Sequence, residues 1–254
     1  MPPSQPKWAP VAFRCYLPGA LGSHNRLMSL SPPEGGGPLR RERLRTARLY
    51  FVCDARPPGD LEALLRAALG GGVDIVQLRE KALGREEILR AAGTYRRVAD
   101  TFSALFIVND DPELARACDA DGVHLGQDDH SVLEARELLG PEAIIGLSTH
   151  SEEQIAAAAS LPVDYISVGP IWETPTKAGR PAVGLELVRH AAEHAAHPFF
   201  AIGGIDATTA GDVVAAGARR LCAVRAIRDA PDPAAAATEL RQSFAGLRGV
   251  APGG

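Results

Sequence analysis

The sequence predicts an α/β fold: a closed (β/α)8 TIM barrel, with eight parallel strands inside and helices outside. Three observations predict it. After residue 48, eight short apolar runs rich in β-branched residues alternate with Ala- and Leu-rich stretches of helical period. The runs are apolar at almost every position, which implies burial on both faces, as in a parallel sheet covered by helices. Eight strand-helix units in about 200 residues suit a closed barrel better than an open doubly wound sheet, which stays the structural alternative.

The elements follow in order along the chain. The first strand is expected over 49–53 and is followed by a helix over 60–70, with Asp60 as N-cap. The second strand, 73–78, leads to a helix over 85–101. The third, 105–108, precedes a helix over 112–118, where Pro112 fits the first turn and Asp111 caps it. The fourth and fifth strands, 122–125 and 144–147, lead to helices over 131–139 and 151–160, capped by Ser131 and Ser151. The sixth strand, 165–168, precedes a helix over 184–195. The seventh, 199–202, leads through Asp206, read as an N-cap, into a helix over 207–216. The eighth, 221–224, is followed by a helix over 233–245 with Pro233 in its first turn.

The opening of the chain has a different composition. Residues 1–48 hold eight basic side chains against Glu34 and Glu42, a net of +6 in a chain whose formal charge is -4. They also hold eight prolines and the run Gly35-Gly36-Gly37. Such a stretch buries too little apolar surface to offset its ordering entropy, so residues 1–48 are expected to be a disordered extension. A transit peptide or nucleic-acid arm has a similar composition, and Met28 offers an alternative start. The TIM-barrel domain is then expected over 49–248, with 249–254 a flexible tail.

Composition excludes several function classes. With 46% hydrophobic residues the chain can bury a full core, and its pI of about 6.0 argues against a general nucleic-acid or membrane surface. No apolar run reaches 18 residues, and the apolar stretch near Val11 is broken by Arg14 and Pro18, so neither a membrane span nor a secretory signal is expected. Cys15, Cys53, Cys118 and Cys222 form no CxxC pair and read as reduced thiols of a cytoplasmic protein. No nucleic-acid or membrane partner is expected; the sequence is compatible with a homo-oligomer and sets no oligomeric state.

Chemistry gathers where strands end. In a barrel of this type the C-terminal ends of the strands line the mouth at which reactions occur. Gln77, Arg79 and Lys81 alternate along the end of the second strand and share a face, whereas Leu78 and Glu80 point to the other side. An amide, a guanidinium and an ammonium on one wall suit a polyanion. Asn109 and Asp110 end the third strand, and Asp129 follows the fourth. Two carboxylates from adjacent strands can hold Mg²⁺ together with substrate phosphate and water. Ser148 ends the fifth strand, Thr174-Pro175-Thr176-Lys177 follows the sixth, and Gly203-Gly204 follows the seventh, where backbone N–H groups can approach an anion.

The ordered series Gln77-Leu78-Arg79-Glu80-Lys81, Val108-Asn109-Asp110-Asp111, Asp121-Gly122-Val123-His124-Leu125-Gly126-Gln127, Gly146-Leu147-Ser148, the run VGPIWETPTK ending at Lys177, and Ala201-Ile202-Gly203-Gly204-Ile205 resembles the thiamine phosphate synthase family, from about residue 49 to 245. The resemblance implies a transferase of thiamine biosynthesis. It would join hydroxymethylpyrimidine diphosphate to hydroxyethylthiazole phosphate, or its carboxylated precursor, and release thiamine phosphate and pyrophosphate. It further implies that Gln77, Leu78, Arg79, Glu80, Lys81, Asn109, Ser148 and Lys177 bind the pyrimidine diphosphate. Thr174, Pro175, Thr176, Gly204, Val224 and Arg225 would bind the thiazole phosphate, and Asp110 and Asp129 would hold Mg²⁺. Arg79, Lys81 and Lys177 would act catalytically by stabilising the departing pyrophosphate in a dissociative, Mg²⁺-assisted step. No side-chain nucleophile is required.

Some positions stand apart. His124 is expected to be a hydrogen-bonded structural histidine, since alternation aims it away from Val123 and Leu125, and Tyr165 and Trp172 are expected to be packing or loop residues. Arg225 stands where the family often has Ser; it is expected at the thiazole phosphate, the alternative being an outward pair with Asp229. A thiazole tautomerase of the same fold uses a histidine near the loop after strand six, where this chain has Pro170. A non-catalytic protein that senses thiamine intermediates would have no need of the two aspartates.

Overall fold

The eight apolar runs form strands because their β-branched and aromatic side chains fill both faces of one sheet, and the sheet closes on itself. A computed structural model describes residues 36–174, 179 and 181–245. In chain order the elements are α1 (Gly36–Thr46), β1 (Leu49–Cys53), α2 (Leu61–Gly70), β2 (Ile75–Leu78), α3 (Arg85–Phe102), β3 (Leu105–Asn109), α4 (Pro112–Ala117), β4 (Gly122–Leu125), α5 (Val132–Leu139), β5 (Ile144–Thr149), α6 (Glu152–Ala158), β6 (Tyr165–Val168), α7 (Gly184–His194), β7 (Phe199–Ile202), α8 (Ala210–Ala215), β8 (Leu221–Ala223), α9 (Arg225–Arg228) and α10 (Pro233–Gln242). Every strand is parallel to its neighbours, and β1 pairs with β8 to complete the (β/α)8 TIM barrel.

Register divides each strand's side chains between two cores. Leu49, Phe51, Val76, Leu78, Phe106 and Val108 face the helices in the outer core. Tyr50, Val52, Ile75, Ile107, Tyr165 and Phe200 fill the barrel interior. The helix starts follow the expected capping chemistry: Asp60, Asp111, Ser131 and Ser151 each accept a backbone N–H of the first turn. Asp206 departs from expectation. Helix α8 begins later, at Ala210, and Asp206 Oδ1 instead binds the N–H groups of Thr208 and Thr209 and the Thr208 hydroxyl. Its side chain closes a turn before the helix, because the threonine hydroxyl competes for it.

The expectation of disorder up to residue 48 fails over residues 36–46, which form α1. Composition counts the arginines of this stretch as solvated charge, but the fold supplies them with partners. Arg40 Nε donates to Asp121 Oδ1 at 2.9 Å and Arg41 Nε to Asp164 Oδ1 at 3.2 Å. Leu44 and Ala47 enter the interior core. The aspartates belong to a repeated device: Asp74, Asp121 and Asp164 directly precede β2, β4 and β6, and each accepts a backbone N–H from the strand before. Arg241, Arg96 and Arg136 complete these three sites. Residues 1–35 and 246–254 lie outside the described residues. Among the described residues no helix is long and apolar enough to cross a membrane.

Candidate active site

The strands' C-terminal ends open into a cavity of about 370 Å³. Gln77, Arg79 and Asn109 line one side of it; Thr174, Gly204, Val224 and Arg225 line the other. The alternation read along β2 therefore places the amide and guanidinium as expected, while Leu78 packs in the outer core. Glu80 also turns away: Oε1 accepts from the N–H groups of Lys81 and Ala82, and Oε2 from Ala55. Its carboxylate shapes the loop behind Arg79. Neither Leu78 nor Glu80 offers its side chain to the cavity.

The two carboxylates converge as expected. Asp110 sits at φ 66°, a left-handed conformation that Asp tolerates better than most residues, and its N–H donates to the His124 carbonyl at 2.8 Å. Burial first, then the hydrogen bond and negative charge of Asp129, hold the Asp110 carboxyl above its ordinary value, against the opposing effect of Lys81. Lys81 Nζ lies 3.2 Å from Asp110 Oδ2. Asp129 is oriented by the Gly126 N–H, which donates to its Oδ2 at 2.7 Å. Two acid groups forced this close are eased by a bound cation. Among the described residues no cluster of three or more metal-type side chains occurs. A pair of carboxylates with room for phosphate oxygens and water is the donor set that Mg²⁺ uses, so these residues fit that ion.

On the far wall, Gly203 and Gly204 have φ of 107° and 70°. A Cβ on Gly204 would lie 2.9 Å from the Cβ of Trp172, so only glycine lets this backbone pass the loop after β6. Arg225 is exposed on the wall, and the expected alternative pairing with Asp229 belongs instead to Arg228. That residue binds Asp229 through Nε at 2.7 Å and Asp54 through Nη1 at 2.7 Å. It ties the end of β8 to the end of β1. Pro175, Thr176 and Lys177 lie outside the described residues.

Ser148 is only 1% exposed and does not reach the cavity surface; its Oγ lies 3.0 Å from His124 Nε2. His124 is hydrogen-bonded at both ring nitrogens, as expected of a structural histidine, and its ring forms part of the cavity floor. Tyr165 does more than pack. It contacts both Tyr50 and His124 through its hydroxyl. Tyr50 and His150 also line the cavity, and no sequence motif singles them out. The inward parity of Tyr50 with Val52, and of Tyr165 with Ser167, is the signal that could have found the tyrosines. Trp172 packs against the outer core, as expected of a packing residue.

Residues 49–227 match the family model described as thiamine monophosphate synthase. A thiamine-phosphate synthase of Acidothermus cellulolyticus is 53% identical over 80% of this chain and 97% of that protein. One from Thermobifida fusca is 52% identical over 80% of this chain and 94% of its own. Among solved structures, thiamine phosphate pyrophosphorylase from Pyrococcus furiosus superposes with a TM-score of 0.74 at 33% identity, covering 81% of this chain and all of that one.

Proposed function

This chain belongs to the thiamine monophosphate synthase family, and we propose how its residues divide the work of that reaction. It is a transferase of thiamine biosynthesis, condensing a pyrimidine diphosphate with a thiazole phosphate to give thiamine phosphate and pyrophosphate. The observation that carries the assignment of roles is the juxtaposition at one mouth: a cationic wall, a crowded carboxylate pair, and a glycine-bearing wall across the cavity.

Gln77, Arg79 and Asn109 bind the pyrimidine diphosphate, and Lys81 and Lys177 share in binding its phosphates. Arg79 and the two lysines receive the negative charge that grows on the departing pyrophosphate, which lowers the barrier to breaking the carbon–oxygen bond. Asp110 and Asp129 would hold Mg²⁺, which would supply further positive charge for the departing pyrophosphate. Thr174, Pro175, Thr176, Gly204, Val224 and Arg225 hold the thiazole phosphate, so that the thiazole nitrogen lies ready to capture the pyrimidine cation. Holding both partners in one cavity removes the entropy cost of a second encounter. Ser148 acts behind the surface, through His124.

Pro170 disfavours the tautomerase reading, since it stands where that chemistry needs a histidine. The crowded carboxylates disfavour a mere sensor. The domain is proposed to run from α1 through α10, with small phosphorylated substrates as its partners. The buried thiols of Cys53 and Cys118 fit the cytoplasm. The test is turnover of the two phosphorylated substrates with Mg²⁺ and with chelator. Loss of product in chelator, and in Asp110→Asn/Asp129→Asn, is expected. Equal product with and without chelator would remove the metal from the reaction.

A further inference from the structure

A continuous line of polar atoms crosses the barrel interior beneath the cavity. Gln77 Nε2 donates to Tyr50 Oη at 2.6 Å, and the Tyr50 and Tyr165 hydroxyls lie 3.0 Å apart. Tyr165 Oη lies 3.0 Å from His124 Nδ1. His124 Nε2 in turn lies 3.0 Å from Ser148 Oγ and 3.4 Å from Ser167 Oγ. The line joins β2 to β4, β5 and β6 through two tyrosines.

The fold reserves space for it. A Cβ on Gly146 would lie 2.1 Å from Tyr165 Cζ and 2.6 Å from His124 Nδ1. Real contacts are never that short, so any larger residue at 146 would part the tyrosine from the histidine. Aromatic packing fixes the rest: Tyr165 makes edge contacts with Tyr50 and Phe200 and stacks on His124.

The line has a direction. Both phenols are buried, and burial holds each well above its ordinary ionisation range, so each keeps its one hydrogen. Gln77 Nε2 can only donate, so the acceptor that the described residues offer the buried Tyr50 hydrogen is Tyr165 Oη. Tyr165 then accepts there and sends its hydrogen to His124 Nδ1. A ring that accepts at Nδ1 carries its hydrogen on Nε2 when neutral, and that hydrogen is donated to the serines. The serine oxygens accept, which leaves the hydroxyl hydrogen of Ser167, on the cavity wall, for an acceptor atom of the ligand.

We propose that Tyr165 is a positioning residue: it fixes His124 as the Nε2–H tautomer, and thereby makes Ser167 a hydrogen-bond donor to an unprotonated ring nitrogen of the substrate heterocycle. The proposal rests on the reading of this cavity as the substrate site. It gives the cavity floor a polarity, since in the reversed line Nε2 would accept a serine hydrogen, from Ser148 at 3.0 Å or Ser167 at 3.4 Å, instead of donating to both oxygens.

The test combines a spectroscopic and a kinetic readout on the full chain. Proton–nitrogen correlation spectra of enzyme labelled with ¹⁵N-histidine, with His124 identified by the signal lost in His124→Asn, report the tautomer directly. The expected result is a single Nε2–H form in the native enzyme and loss of that single form in Tyr165→Phe. The KM for the pyrimidine diphosphate should rise about fivefold in Tyr165→Phe, the worth of one net hydrogen bond, with kcat within about twofold. Ser167→Ala should raise the same KM, and the double variant should add little further. Native His124 protonated at Nδ1, or Tyr165→Phe with unchanged histidine signals, would overturn the proposal; the first result needs no variant to fold. Failure of the native enzyme to make thiamine phosphate would instead sink the functional reading while the tautomer remains measured.

Discussion

Replacing Asp121 by Ala removes one of three carboxylates, with Asp74 and Asp164, that each accept three hydrogen bonds at the end of the barrel opposite the cavity. Asp121 Oδ1 accepts from Arg40 at 2.9 Å; Oδ2 accepts from Arg96 at 2.9 Å and from the Phe106 N–H at 2.8 Å. Its side chain is 6% exposed, whereas those of Arg40 and Arg96 are 27% and 18% exposed. Removing one partner of a buried ion pair costs about 3–5 kcal/mol. Both arginines can regain some water, so the lower part of that range applies, about 3 kcal/mol. In a chain of this size each kcal/mol moves the melting temperature by about 2–4 °C, which gives a fall of about 6–12 °C. Asp121→Asn keeps an acceptor for the Phe106 N–H but loses the charge, and should fall by less. No cavity residue is touched, so kcat/KM at 25 °C should stay within about twofold in both variants. Circular-dichroism melts paired with initial rates measure this. A fall below about 2 °C for the Ala variant, or a tenfold loss of kcat/KM in folded protein, would refute the reasoning.

Asp110→Asn keeps a residue that tolerates the positive φ and removes one charge of the crowded pair. The metal-free melting temperature should hold or rise, while the Mg²⁺-supported rate falls about 100-fold; melts in chelator and Mg²⁺ titrations of activity check both. The raised Asp110 carboxyl also sets a pH dependence. Its protonated form is the one folding favours, so the metal-free protein is stabilised at low pH, and that contribution is lost as pH rises through the raised value. Mg²⁺ needs the ionised form, so activity at limiting Mg²⁺ should fall as pH drops from neutrality and recover with excess Mg²⁺. Arg225→Ser should raise the KM for thiazole phosphate and leave that for the pyrimidine diphosphate unchanged; an unchanged thiazole KM would remove Arg225 from that site. Gly204→Ala meets both a φ of 70° and a 2.9 Å approach to Trp172, so it should cost about 1–2 kcal/mol by thermal melt and weaken the same substrate. A chain starting at Met28 retains α1 and should keep full activity, whereas one starting at Arg48 loses the Arg40 and Arg41 pairs and should melt earlier.

The parts of the site that were legible share one physical origin. A strand's side chains alternate by geometry, so the face shared by Gln77 and Arg79 followed from position alone, and the same alternation turns the side chains of Leu78 and Glu80 away, against the binding role that the resemblance implied for both. The convergence of Asp110 and Asp129 followed from their places at the ends of adjacent parallel strands. Ser148 shows where this reasoning stops: its place at the end of the fifth strand pointed to the substrate, but the structure buries it against His124, behind the cavity surface. Asp206 shows the same limit, because its choice between capping a helix and closing a turn rested on competition from Thr208.

By itself the sequence determined the strands, their order, the mouth at which polar residues gather and the family to which those residues point. These depend on local periodicity and on motifs a few residues long. Only the tertiary structure decided the fate of α1, whose arginines find their aspartates 81 and 123 residues further along the chain. It alone also decided the role of Tyr165, whose neighbours stand on strands 115 and 41 residues away. Composition marks the first as disordered and pattern marks the second as packing. A charge or hydroxyl takes its meaning from the group it meets, and barrel closure brings those groups together from distant parts of the chain.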